Sequence, residues 1–242
     1  MEFAERLPLQ SEDEASGLAA AVYRDVRRRM PFVPAFLRAL ARVGDSALEE
    51  AWLQSRALLD DPGSEDSAER LVAVADARLV YRPSPEVRDA VAPFARQLPT
   101  LLLVVSSLWL TLDGRLAALP KPTVDLPDSG PLPEAVPEER GEHPLFDEIS
   151  GVYGTTYVPS MYRGLAAAGV LEEPWLAIGP YLDSVRGREH AAAVANAAET
   201  EALRFPEVAF LRREAARPVL AQFRHALPRN LVFAIAASSG FS

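Results

Sequence analysis

Residues 33–44, VPAFLRALARVG, and residues 158–169, VPSMYRGLAAAG, align without a gap, with identities at Val33/Val158, Pro34/Pro159, Arg38/Arg163, Leu40/Leu165, Ala41/Ala166 and Gly44/Gly169. A repeat constrains a fold strongly, because each copy must bury the same apolar pattern. The match continues downstream: Trp52-Leu53 and Leu59-Asp60 share their internal spacing with Trp175-Leu176 and Leu182-Asp183. Ala73–Ala77 resembles Ala193–Ala197, and Leu98-Pro99 resembles Leu227-Pro228, each pair leading into an apolar stretch. The segments keep their order. Between the copies, Asp113 to His143 holds six prolines, three glycines, seven carboxylates and three basic side chains, which cannot build a core. The expected organisation is a first helical repeat over 1–112, a Pro-rich acidic linker over 113–143 and a second helical repeat over 144–242. Such halves would pack as a pseudo-dimer about a two-fold axis, each burying the face the other presents.

Periodicity assigns the secondary structure. Val33, Phe36, Leu37, Leu40 and Ala41, and likewise Val158, Met161, Tyr162, Leu165 and Ala166, fall on one stripe of a helix. Pro34 and Pro159 suit the first helical turn, and Gly44 and Gly169 suit the left-handed position after the last. Ala-rich stretches at 15–30, 67–79, 187–203 and 207–226 use good helix formers, punctuated by Pro83, Pro85 and Pro206. For Leu101–Leu112 and Val152–Val158, valine, threonine and tyrosine also permit strands. The repeat favours a helix for the first, and a helix end followed by a loop for the second. The fold class is all-α.

Composition excludes several roles. A net charge of −9 leaves no excess of cations to displace counterions from a nucleic acid. The absence of cysteine removes disulfides, thiolate metal sites and thiol nucleophiles. His143, His190 and His225 lack ligand spacing, so no metal site is expected, and they read as surface residues. The run Leu98–Leu112 is broken by Pro99, Ser106 and Ser107 and is shorter than the ~20 residues of a membrane span, so it reads as buried core and no membrane partner is expected. The acidic start Met1-Glu2-Phe3-Ala4-Glu5 lacks the pattern of a signal peptide, and a cytoplasmic location is expected. Common phosphate-loop, zinc-protease and serine-hydrolase signatures are missing.

The stretch 14–41, EASGLAAAVYRDVRRRMPFVPAFLRALA, echoed by HPLFDEISGVYGTTYVPSMYRGLA over 143–166, resembles the group I 2-haloacid dehalogenases, the DehI family. The resemblance implies an all-helical protein of two repeats, without a cofactor, with its site between the repeats. The activity it implies is hydrolytic displacement of halide from a small 2-halocarboxylic acid, by water that an aspartate activates. That aspartate follows a serine at the start of the second repeat's helix. The serine falls on Ser160 and the aspartate on Met161, while Val33 and Phe36 fall near the halide pocket. A thioether takes no proton from water, so the resemblance also implies that catalysis is altered or lost. The same run followed by tryptophan resembles the alkylhydroperoxidase D group, whose paired-cysteine chemistry this chain lacks.

Each candidate has a plainer role. Met161 and Phe36 share the apolar phase of a helix and suit a core, and Ser160 suits a helix start. Tyr153, Tyr157 and Tyr162 offer hydroxyls to a pocket or pack as half-buried rings. Arg38 and Arg163 offer a bidentate grip on a carboxylate, although their duplication favours an ion pair within each half. The substrate-binding candidates are therefore Val33, Phe36, Tyr157, Ser160 and Met161. The alternatives are a silent relative that binds a small carboxylic acid between the repeats, and a filled seam whose only function is self-association as a homo-oligomer.

Overall fold

The computed structural model describes residues 7–120, 122, 124–126, 135–138 and 141–238. Among these residues all regular structure is helical. Five helices come from the first copy: α1 (Gly17–Arg27), α2 (Ala35–Val43), α3 (Asp45–Asp60), α4 (Gly63–Ala75) and α5 (Pro85–Leu112). Five more follow: α6 (Phe146–Tyr153), α7 (Ser160–Ala167), α8 (Glu172–Asp183), α9 (Val185–Ala202) and α10 (Arg217–Ser238). Each stretch of the repeat thus falls on the same helix in order, α2 with α7, α3 with α8, α4 with α9 and α5 with α10.

The two long helices, α5 and α10, make the most extensive contact in the molecule, and α9 packs on both. A single apolar core runs from Ala19 in α1 to Ala237 in α10, so neither set of helices has a core of its own. The tryptophans of the repeat are anchored alike. Trp52 Nε1 donates to Asp25 Oδ2 and Trp175 Nε1 to Glu148 Oε1, each at 2.9 Å, so the indole of the third helix holds a carboxylate of the first in both sets.

Helix ends depart from the sequence expectation in instructive ways. Pro34 and Pro159 are the N-caps, one residue before the first turn, with nearly identical backbones (φ −55°, ψ 137° and φ −57°, ψ 142°). Gly169 is left-handed at φ 70°, as a helix terminator requires, whereas Gly44, at φ 144°, joins α2 directly to α3. Pro99 does not interrupt its segment. Helix α5 runs for 28 residues through both Pro93 and Pro99, starting at a Ser84 cap that accepts from Val87 N. By length and composition α5 suffices to cross a membrane, yet 67% of its apolar stretch is buried inside the protein. Tertiary burial outweighs the lost backbone donors here.

The expected helix over 207–226 divides into short 3-10 turns at Pro206–Val208 and Glu214–Ala216, with extended chain between, before α10 begins. Fully buried Gln54 explains the extension, because its Oε1 accepts from Phe210 N at 2.9 Å and Leu211 N at 3.0 Å. Glu50 similarly accepts from Arg212 N and Arg213 Nε. Side chains of α3 have replaced the helical partners of these amides. The described parts of 113–143 lie along the body: Leu116 is buried, Leu119 N donates to Ala209 O, and Val136 N donates to Pro31 O. The histidines are half-buried rather than superficial. His190 contacts Tyr181 Oη and Val74 O, while His225 Nε2 lies 3.1 Å from Arg229 Nη1 and accepts from it when neutral.

Candidate functional site

Both α2 and α7 open without a side-chain cap. In the first, Leu37 N and Arg38 N reach back to Pro34 O; in the second, Tyr162 N and Arg163 N reach back to Pro159 O. That leaves Ala35 N, Phe36 N, Ser160 N and Met161 N ahead of the helical ladders, where a helix carries its positive end.

These two helix starts meet at one cavity of about 40 Å³. Pro34, Ala35 and Phe36 line it from α2, and Pro159, Ser160 and Met161 from α7. Phe32 and Tyr157 flank those starts, Phe94, Leu98 and Leu101 come from α5, and Phe223, Leu227 and Asn230 from α10. Four of the five binding candidates, Phe36, Tyr157, Ser160 and Met161, are thereby brought together. Val33 is buried at 1% exposure but is not on the wall; it packs in the core beside it. Of the three tyrosines only Tyr157 reaches the cavity. Tyr153 Oη and Tyr162 Oη pair with each other at 2.6 Å, and Tyr162 packs edge-on against Trp175 and Phe233.

The lining follows the sequence match between the two segments. Extending the Leu98-Pro99/Leu227-Pro228 match along the long helices pairs Phe94 with Phe223 and Leu101 with Asn230. With Leu98/Leu227, Phe32/Tyr157, Pro34/Pro159, Ala35/Ser160 and Phe36/Met161, every residue of the described lining has its sequence match on the lining too. Sequence reasoning reached α2 and α7 but missed the α5 and α10 walls. The available signal was Asn230, a lone amide in the apolar run LVFAIA and its approach.

Electrostatically the cavity is sparse. Among the described residues its lining includes no carboxylate, imidazole or cationic side chain. Burial raises the Tyr157 phenol well above its ordinary range, so it stays protonated and able to donate. Its ring packs on Phe223 with centroids 4.8 Å apart, and its hydroxyl is buried without a partner among the described residues. Asn230 Oδ1 is likewise buried with no donor among the described residues.

A wider depression outside shares Phe32, Tyr157 and Ser160 with this cavity and adds Arg38, Arg163, Glu12, Asp13 and Glu138. Both repeat arginines thus stand at the same mouth. For Arg38 the expected ion pair within its own half is not what forms. Arg38 Nη1 pairs at 3.2 Å with Glu138, from the connecting segment, and its Nε donates to Gln10 O. Arg163 places its guanidinium 4.9 Å over the Phe146 ring. Among the described residues no cluster of three or more histidines and carboxylates is arranged to hold a metal ion.

No family model and no curated protein matches the chain. Solved structures do. A D-2-haloacid dehalogenase in complex with L-LA is similar with a TM-score of 0.74 at 15% identity, covering 96% of this chain and 95% of that one. A mutant of D-2-haloacid dehalogenase with D-2-CPA gives 0.72 at 17% identity, and a further mutant structure gives 0.73 at 16%, each covering 96% of this chain and 94% of the other. The chain has the D-2-haloacid dehalogenase fold. At this level of identity the likeness concerns architecture, and chemistry must be argued from the cavity itself.

Proposed function

We propose that this protein is a divergent relative of the group I 2-haloacid dehalogenases that binds a small, largely apolar carboxylic acid in the central cavity and has lost the hydrolytic step. The reading takes the two helix sets as repeats, 1–112 and 144–242, packed about a pseudo-two-fold; the shared helix order and the paired lining support it.

The observation that carries the loss is the absence of a base on the described lining. In direct displacement, water attacks the α-carbon, the carbon–halogen bond breaks, and a proton must leave the attacking oxygen. A carboxylate takes that proton; the thioether of Met161, 2% exposed and on the wall where the resemblance expects aspartate, does not. Binding survives this change. First-turn amides at two helix starts suit an anion without a cationic side chain, and Phe32, Phe36, Phe94 and Leu98 suit its carbon chain.

A second reading keeps the hydrolase active with its base in the outer depression, where Glu12, Asp13 and Glu138 stand near the shared Tyr157 and Ser160. Halide release from racemic 2-bromopropionate decides between them. The wild type is expected to match its heat-inactivated control, and Met161→Asp to release bromide while remaining folded. Bromide release by the wild type overturns the loss and favours the outer carboxylates. A folded Met161→Asp protein that releases none overturns the placement of the site.

A further inference from the structure

The cavity is symmetric in shape but not in polarity. All three polar side chains on its lining, Tyr157, Ser160 and Asn230, belong to the second half, and their repeat mates Phe32, Ala35 and Leu101 are apolar. The first-half residues show that an apolar version of each position fits the same packing. Two of the polar atoms then stand at a cost, since Tyr157 Oη and Asn230 Oδ1 are buried in residues only 7% and 4% exposed and have no partner among the described residues. An unmet buried polar group costs about 1–3 kcal/mol, which packing alone gives no reason to retain twice on one wall.

The two groups also specify what meets them. A neutral phenol donates, so it wants an acceptor. Asn230 Oδ1 accepts, so it wants a donor; if the amide is turned end over end, a group that both donates and accepts satisfies it equally. Halogen bound to carbon supplies no donor. A hydroxyl supplies both.

We infer that the cavity is selective for a hydroxylated small acid, a 2-hydroxycarboxylic acid, over its 2-halo counterpart, with the hydroxyl on the Tyr157/Asn230 wall and the carbon chain against Phe32 and Leu101. This deepens the carboxylic-acid reading above and rests on it. A site built to hydrogen-bond a hydroxyl discriminates strongly against the analogue lacking it, because its own polar atoms are then left unmet.

The test is calorimetric titration of the full chain with lactate, 2-chloropropionate and propionate. Lactate is expected to bind at least about tenfold more tightly than either of the others. Tyr157→Phe and Asn230→Leu each install the residue of the other half, and each is expected to reduce that preference at least about threefold. Equal or tighter binding of 2-chloropropionate overturns the inference and leaves the carboxylic-acid reading standing. An unchanged lactate preference in both folded variants overturns the assignment of these residues. Failure of all three acids to bind overturns both readings.

Discussion

Replacing Gln54 by leucine tests whether its side-chain amide holds the extended segment before α10 against α3. The carboxamide is fully buried and fully used: Nε2 donates at 2.9 Å to Ser107 Oγ and Thr111 Oγ1 on α5, and Oε1 accepts from Phe210 N and Leu211 N in the second half. Leucine fits the volume but accepts nothing. The two hydroxyls can turn to carbonyls of their own helix, as Thr111 Oγ1 already does to Ser107 O at 2.9 Å. The two backbone amides have no such recourse, because their segment is extended and buried. At about 1–3 kcal/mol for each unmet group, the loss is about 2–6 kcal/mol, centred near 4. For a protein of this size that lowers Tm by roughly 8–16 °C, at about 2–4 °C per kcal/mol. Urea unfolding followed by circular dichroism should show a lower midpoint with an unchanged slope. A loss below about 1 kcal/mol would refute the reasoning, since it would mean that water or another acceptor reaches the Phe210 and Leu211 amides.

Two further outcomes are expected. Gly187→Ala should destabilise by about 3 kcal/mol or more in the same assay, because its new Cβ would lie 2.0 Å from Tyr181 O, a backbone atom in the α8–α9 corner that cannot swing away. His225 contributes a pH dependence: burial, then the positive Arg229, lowers its folded-state pKa below the ordinary 6.5. As pH falls through that value the unfolded chain takes up a proton that the folded protein refuses, so this stability is present above about 6.5 and is lost below it. The His225→Gln variant should show a shallower loss of midpoint between pH 7 and pH 5, and an identical slope in both proteins would contradict the assignment.

Much of the architecture is written locally. The i, i+3, i+4 stripes at 33–41 and 158–166 become α2 and α7, and the Ser84 and Pro85 pair starts α5 where capping chemistry places it. Where local rules failed, a distant partner had intervened. Pro99 should break a helix, but α5 is enclosed by α10, α9 and α4, and burial exceeds the lost hydrogen bond. Residues 209–213 have helical composition, yet Gln54 and Glu50 of α3 take their amides. Arg38 finds the carboxylate of Glu138, one hundred positions away, beside its bond to Gln10 O nearby.

By itself the sequence determined the helical class, because periodicity is a property of neighbours along the chain. Only the tertiary structure decided which faces meet. It set Val33 in the core behind the wall, turned Tyr153 and Tyr162 toward each other, and brought α5 and α10 across from α2 and α7. The unmet Tyr157 hydroxyl and Asn230 oxygen could not be foreseen either. Whether a polar atom has a partner depends on every chain segment packed around it, and no one-dimensional pattern records that.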